Sequence, residues 1–332
     1  MAITIKDIAN KAGLSPASVS RILNNHGRFS AETAKKVHEI AESLGYFKNQ
    51  SAADLSQKQS RVVGVLVPVA HTNFADEIIK GMQHTAYELN YELLITFIDT
   101  DEKKQIQTVQ SLLSRKVFAI FMLAIDAPTA LFELLNHANV QLVSISNQLN
   151  NKIPIISSNN DLMMHQIVDH LYQKGHRKIA LIGSSERYPI VAKIRRKGYI
   201  DALAAKGITY NPDWIWGFQN TYQTGLDAIQ HFGTPLPFTA AIGSADIISV
   251  GLLNAAQDAG LVVPNDLSIV SVDGTELTQL TRPILTTIEQ DFQMMGHLAL
   301  SSLHEKTLTE NAIIYTDTKI VLGHSVRDFN NY

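Results

Sequence analysis

The chain has 332 residues and no cysteine. Without thiols there is no disulfide framework, no thiolate nucleophile and no Cys-ligated zinc or iron–sulfur site. Long apolar runs are also missing. The longest, around Val117 to Ile125, is strand length, well short of the roughly 18–20 residues that a membrane span needs. The opening Met-Ala-Ile-Thr-Ile-Lys-Asp-Ile-Ala has no basic stretch leading into an apolar core, so it does not read as a secretory signal. These absences predict a soluble, cytoplasmic protein. Enzyme signatures are absent as well. No phosphate-loop G-x-x-x-x-G-K-[ST], no G-x-G-x-x-G after a strand and no H-E-x-x-H occurs. Gly183-Ser184-Ser185-Glu186-Arg187 lacks the fifth-place Gly of a nucleophile elbow. His165, His170 and His176 are spaced five and six apart, off any single helical face, and read as surface or capping residues rather than metal ligands. No metal or other cofactor is expected, and the body reads as a binding module.

What the chain does have is apolar residues, 45% of the total, enough for more than one core. Its length suggests two or three domains. Charge is scarce at 18%, and the formal net charge of −3 argues on its face against a nucleic-acid partner. The distribution reverses that inference. Residues 1–61 hold nine basic and five acidic side chains, a balance of +4, which leaves −7 for residues 62–332. A cationic head on an acidic body suggests that the head meets a polyanion.

The head has helical spacing. Ile5, Ile8, Ala9 and Ala12 recur on one face and meet Gly13, a helix stop. Ser15 is a candidate N-cap with Pro16 at the first helical position, and this second helix runs through Val19, Ile22 and Leu23 to Asn24-Asn25-His26-Gly27. Ser30 caps a third helix, Ala31 to Leu44, closed by Gly45. Three short helices with a tight Gly turn between the first two form a helix-turn-helix. The start of its second helix should then face base edges in the major groove. Ala17 is small enough to meet a thymine methyl, Ser18 and Ser20 can bond phosphate or base, and the fork of Arg21 matches guanine O6/N7. A polar stretch, Asn49 to Ser60, follows. From Val62 onward apolar strand-length runs alternate with amphipathic helices, the signature of parallel βαβ units. Two successive sets of four to five units predict two similar lobes with a ligand cleft at the carboxyl ends of their strands.

The residues resemble the LacI/GalR repressors. In the head the likeness rests on Thr4-Ile5-Lys6-Asp7-Ile8-Ala9, Ala12-Gly13-Leu14-Ser15, Val19-Ser20-Arg21-Ile22-Leu23-Asn24 and Lys36-Val37 through Leu44-Gly45-Tyr46. In the body it rests on Asn73-Phe74, Gly175-His176-Arg177-Lys178-Ile179-Ala180, Arg195-Arg196-Lys197-Gly198-Tyr199, Val272-Asp273-Gly274-Thr275 and Leu285 through Phe292. The resemblance implies an all-α helix-turn-helix head at residues 1–48, a hinge at 49–60 and an α/β core at 61–332. That core is periplasmic-binding-protein-like, with two lobes of parallel sheet, a boundary near 150–160 and C-terminal crossovers near 285–292. It also implies a homodimer on double-stranded operator DNA. Thr4, Ser15, Pro16, Ala17, Ser18, Ser20, Arg21, Asn24 and Arg28 fall on DNA-binding positions, and Ala52 and Leu55 on the hinge positions that enter the minor groove. An apolar wedge there would unstack a base step and bend the duplex. Lys48 stands where the family usually has Pro, and Asp54 beside the wedge Leu would repel phosphate if it faced the backbone. The C-terminal Asn330-Asn331-Tyr332 carries no heptad tail to join dimers, so a dimer is favoured over a tetramer.

For the core the resemblance implies that a small effector, a sugar or sugar phosphate, contacts Phe74, Asn159, Arg195, Asp246, Asp273, Gln290 and Phe292. An Arg fork and a carboxylate suit adjacent hydroxyls, and an aromatic face suits the C–H side of a sugar ring. Asp273 stands on its own account, since it follows an apolar strand at its carboxyl end. Asn159 replaces a usual Asp, Ala245 precedes Asp246 where Asn-Asp is usual, and Ser271 replaces a common Gly, which implies an altered hydroxyl pattern. Of Trp214, Trp216 and Phe218, one is a candidate to stack on the effector, although packing in the core or at the rim is the stronger expectation for each. The reading is a non-enzymatic, DNA-binding repressor of carbohydrate-utilisation genes. The alternatives are a corepressor-dependent regulator that binds a purine or a phosphoprotein, and a soluble sugar-binding protein or enzyme.

Overall fold

A computed structural model of the chain describes residues 3–24, 26–46, 60–69, 74–126, 129–138, 140–147, 153–183 and 189–330. Ala52 and Leu55, with Lys48, Asp54 and the rest of the hinge, lie outside the described residues, as does Asn73. The chain divides into two compact units, residues 1–60 and 61–332.

The first unit is three helices, α1 (Ile5–Ala12), α2 (Pro16–Leu23) and α3 (Ala31–Ser43). Gly13 ends α1 in the left-handed conformation at φ 73°, which glycine adopts without a Cβ penalty. The Ser15 hydroxyl accepts the Ser18 amide at 3.1 Å and starts α2, and the Ser30 hydroxyl does the same for Thr33 in α3. Ile8, Ala9 and Ala12 meet Val19, Ile22, Val37 and Ala41 in one small core.

The second unit holds two six-stranded sheets. The first lobe starts with β1 (Val62–Pro68), α4 (Ala75–Leu89), β2 (Glu92–Ile98) and α5 (Glu102–Ser114). It continues with β3 (Ala119–Leu123), α6 (Thr129–His137), β4 (Gln141–Ile145) and β5 (Ile155–Ser158). The chain then enters the second lobe with α7 (Asn160–Gln173), β6 (Ile179–Ile182), α8 (Pro189–Ala205), β7 (Ile215–Trp216), α9 (Tyr222–Phe232) and β8 (Ala240–Gly243). α10 (Asp246–Asp258), β9 (Ser268–Asp273), α11 (Leu277–Leu280) and β10 (Thr286–Gln290) complete that passage. Next come α12 (Phe292–Glu305), β11 (Ile313–Thr316) and β12 (Thr318–Val321). Strand order is β11-β5-β4-β3-β1-β2 in the first sheet and β12-β10-β9-β8-β6-β7 in the second. All pairings are parallel except β10 with β12.

The chain therefore crosses between lobes after β5, after β10 and between β11 and β12. The last crossing and both final strands were not anticipated, because β11 and β12 are short edge strands with mixed exposure and no apolar run to mark them. The lobe boundary expected near 150–160 contains a strand, β5. After the second crossing α12 returns to the first lobe, where Phe292, Met295, Ala299, Leu300 and Leu303 join the core of β1, β3, β4 and α4.

One expectation is corrected. His176 is not a surface residue. It is 1% exposed, with Nδ1 2.9 Å from the Thr239 hydroxyl and Nε2 3.2 Å from the Arg327 carbonyl. Burial pushes its pKa down to about 4, so the neutral ring serves as an internal strut for the C-terminal segment.

Candidate functional site

On the head, Ser15, Pro16, Ala17 and Arg21 are exposed along one side of α2, while Val19 and Ile22 are buried on the other. The caps explain this orientation: Ser15 and Pro16 fix where the helix starts, and its period then turns the apolar residues inward. Ser18 and Ser20 are half-buried at the edge of the exposed side. Asn24 is tied down by its Nδ2, which donates to the Ser20 carbonyl at 2.8 Å. Thr4 is exposed and its hydroxyl donates to Asp7 at 2.7 Å, a bond that holds the Asp7 carboxyl below its ordinary value. Arg28 is exposed. Among the described residues of the head, the ion pair is that of Lys35 with Glu39 at 3.9 Å. Arg21 and Arg28 thus carry no acidic partner there.

In the core, four predicted residues gather at the carboxyl end of the second sheet. Asp273 ends β9 at φ 110°, a backbone region that side-chain-bearing residues seldom adopt. The Gln290 amide at the end of β10 donates to its Oδ1 at 2.7 Å. Arg195, from α8, reaches within 3.8 Å of the same oxygen. Its Nε donates to Asn160 Oδ1 at 2.7 Å and a terminal nitrogen donates to the Ser244 carbonyl at 2.6 Å. Burial pushes the Asp273 carboxyl up to about 8; the Arg195 charge opposes this and Asp246 reinforces it. The same burial lowers the Arg195 pKa. Phe292 follows on the crossover and stacks on Phe74 with ring centroids 4.8 Å apart and planes 13° from parallel. An apolar wall therefore stands beside a polar floor.

Asp246 and Asn159 are both engaged in hydrogen bonds within the protein. Both Asp246 oxygens are engaged: Oδ1 accepts the Ser271 hydroxyl at 2.5 Å, and Oδ2 accepts the Thr275 amide at 2.6 Å and hydroxyl at 2.7 Å. It is fully buried and fixes the loop that carries Asp273. Ser271, the departure from Gly, supplies one of those bonds. Asn159 caps α7 through the Leu162 amide at 3.1 Å, and its neighbour Asn160 is the residue that holds Arg195. The sequence signal for Asn160 is only the Asn-Asn pair, which does not say which side chain caps the helix. Trp214 packs edge-on against Phe238 and Trp216 stacks on His231, while Phe218 is exposed.

A cleft of about 650 Å³ adjoins this cluster. It meets the cluster through Gln290 and Phe292, but its other walls are mainly acidic, with Asp76, Glu77, Glu276, Glu289 and Asp291. Polar contacts for a neutral ligand are concentrated in the buried cluster instead. No group of His, Asp or Glu able to hold a metal occurs among the described residues, and no helix there is long and apolar enough to cross a membrane.

Comparison with known proteins covers both units. The lacI-family model of bacterial regulatory proteins matches residues 4–49, and the periplasmic binding protein-like domain model matches residues 168–326. The HTH-type transcriptional repressor CytR of Escherichia coli K12 is 33% identical over 313 residues, 90% of this chain and 88% of that protein. Catabolite control protein A of Priestia megaterium is 29% identical over 333 residues, 98% of this chain and 100% of that protein. A solved structure of the regulator CCPA from Weissella paramesenteroides with bound glucose is 40% identical, with a TM-score of 0.76, covering 81% of this chain and all of that one. The same regulator has also been solved with bound sucrose.

Proposed function

Because this chain belongs to the LacI family of bacterial regulatory proteins, and so is a DNA-binding regulator rather than an enzyme, we propose that it represses carbohydrate-utilisation genes under the control of a small sugar bound between the lobes of its core. The observation that carries the sugar reading is the buried Arg195–Asp273–Gln290 cluster beside the Phe74–Phe292 stack. It offers hydrogen bonds to hydroxyls and an aromatic face to the C–H side of a sugar ring. The glucose and sucrose in the 40% identical Weissella regulator support the same ligand class. For the head, the exposed Ser15, Ala17 and Arg21 support base reading from the major groove. Thr4, Pro16, Ser18, Ser20, Asn24 and Arg28 then hold phosphates or fix the helix, and Ala52 and Leu55 enter the minor groove.

The working form is a cytoplasmic homodimer. Edge strand β2 exposes Ile95 and Phe97 by 42% and 65%, an apolar strip that a second copy would cover. Two heads would then meet two half-sites. A sugar changes operator affinity only if it binds the two lobe arrangements with different strength.

Thermal shift and calorimetry with D-glucose and sucrose test the sugar reading. Wild type should bind at least one, and Asp273→Ala, which removes the side-chain contact altogether, should weaken that binding by about tenfold or more. An unchanged affinity would remove Asp273 from the site. For the head, Arg21→Ala should lose base preference at one position per half-site. An equal loss on operator and random DNA would show that Arg21 touches only phosphate.

A further inference from the structure

One buried side chain stands where the chain first crosses between the lobes. β5 of the first lobe ends at Ser158, Asn159 caps α7 of the second lobe, and Asn160 is the first residue of that helix. Asn160 is 2% exposed. Its Nδ2 donates to the Ser158 carbonyl at 3.2 Å, and its Oδ1 accepts Arg195 Nε at 2.7 Å. A single amide therefore touches the end of a first-lobe strand and the arginine of the second-lobe cluster. Close helix packing permits this reach. Gly198 lies less than one turn beyond Arg195, and a Cβ on it would sit 2.9 Å from the Asp161 carbonyl oxygen, so α8 runs tight against the start of α7.

The bonds of Arg195 divide its guanidinium. Nε is spent on Asn160 and Nη1 on the Ser244 carbonyl at 2.6 Å. Nη2 is 3.8 Å from Asp273, beyond hydrogen-bond distance, and donates no hydrogen bond among the described residues. The planar fork is thus fixed at two nitrogens and open at the third. Asn160 supplies one of those two fixed points. The first crossing is also joined to the last. Ser158 pairs in register with Thr316 at the end of β11, and their hydroxyl oxygens are 3.4 Å apart. The Thr318 hydroxyl at the start of β12 donates to Gln166 of α7 at 2.9 Å. Asn160 therefore sits where two interlobe crossings run side by side.

We propose that Asn160 is a positioning residue that holds Arg195 for the effector and ties it to the crossing between the lobes, so that ligand binding at Arg195 and the lobe arrangement are coupled through this one side chain. This rests on the reading of Arg195 as a sugar contact and adds the residue through which that contact is felt elsewhere. Asn160 acts through Arg195 rather than on the ligand. A ligand hydroxyl that engages Nη2 draws on the Arg195–Asn160 bond, and a lobe movement that displaces Ser158 displaces the Asn160 amide. Each event then changes the free energy of the other, as linkage requires.

The test uses the full chain as wild type, Asn160→Ala and Asn160→Asp. Calorimetry with D-glucose and sucrose reads sugar affinity, and fluorescence anisotropy reads operator affinity with and without the sugar that binds. Ala removes both bonds. Asp keeps an oxygen for Arg195 Nε but has no N–H for the Ser158 carbonyl. Asn160→Ala should lose about tenfold or more in sugar affinity. Asn160→Asp should recover it to within about threefold. At saturating sugar, however, its change in operator affinity should be smaller than that of wild type by about fivefold or more. A side chain needed only for folding would not separate these two readouts. If Asn160→Ala does not fold, Asn160→Asp decides alone through the operator response. Wild type binding neither sugar overturns the sugar reading and this inference with it. Sugar affinity that Asn160→Ala retains or Asn160→Asp fails to recover overturns this inference only. So does an operator response that Asn160→Asp keeps in full, or a wild-type operator affinity that bound sugar leaves unmoved.

Discussion

Asp273 is the residue on which backbone strain, burial and charge converge. It occupies φ 110°, touches Gln290 and Arg195, and has its carboxyl pushed up to about 8 mainly by burial. A value above that of the unfolded chain, about 4, means the folded state holds a proton that the unfolded state has released. Stability from this proton is full below about pH 4 and is lost as pH rises through about 8. Asn at this position imitates the protonated acid and still accepts from Gln290. Ligand-free Asp273→Asn should therefore gain on wild type in melting temperature as the pH is raised from about 5 to about 8. A gap that stays constant across that range would mean Asp273 is ionised throughout. The sequence made Asp273 legible because an acidic residue ending an apolar strand has few structural uses. Asp246 was legible as polar but not by task, since its partners, Ser271 in β9 and Thr275 in the loop after it, are distant in sequence. Asn160 and Ser244 were missed because short polar residues at strand and helix ends usually cap, and only tertiary placement distinguishes those that do not.

At the scale of elements, the three head helices were readable because their boundaries are local. Gly13, Ser15, Pro16 and Ser30 each act within one turn. The lobes' internal βαβ order was readable from alternation, whereas membership of a lobe was not. Helix α12 follows the second sheet in sequence yet packs on α4 of the first lobe, and this depends on two glycines. A Cβ on Gly296 would lie 2.1 Å from the Ile78 carbonyl oxygen, and one on Gly81 would lie 2.0 Å from that of Gln293. Both obstacles are backbone, so the helices must separate to admit a methyl group. Gly296→Ala should cost about 1–3 kcal/mol, seen as a lower denaturation midpoint. Phe292 starts this helix and stacks on Phe74, so separation should also weaken sugar binding. An unchanged midpoint would show that the two backbones are not in close contact in solution.

For the whole molecule, the net charge of −3 conceals a division of labour. The head carries +4 with Arg21 and Arg28 exposed, and the remainder carries −7 with its binding groups buried. The two ligands should then differ in their response to salt. Phosphate contacts release condensed counterions, and affinity falls with salt in proportion to their number. A buried cluster that takes a neutral polyol releases none, and its internal charges are screened weakly. Operator affinity measured by fluorescence anisotropy should therefore drop by well over about tenfold between about 50 and about 200 mM salt. Sugar affinity measured by calorimetry over the same range should change by less than about twofold. Arg28→Ala should flatten the operator slope while leaving the sugar curve in place, if Arg28 meets phosphate. A sugar affinity that falls as steeply as the operator affinity would point to an anionic effector that pairs with Arg195.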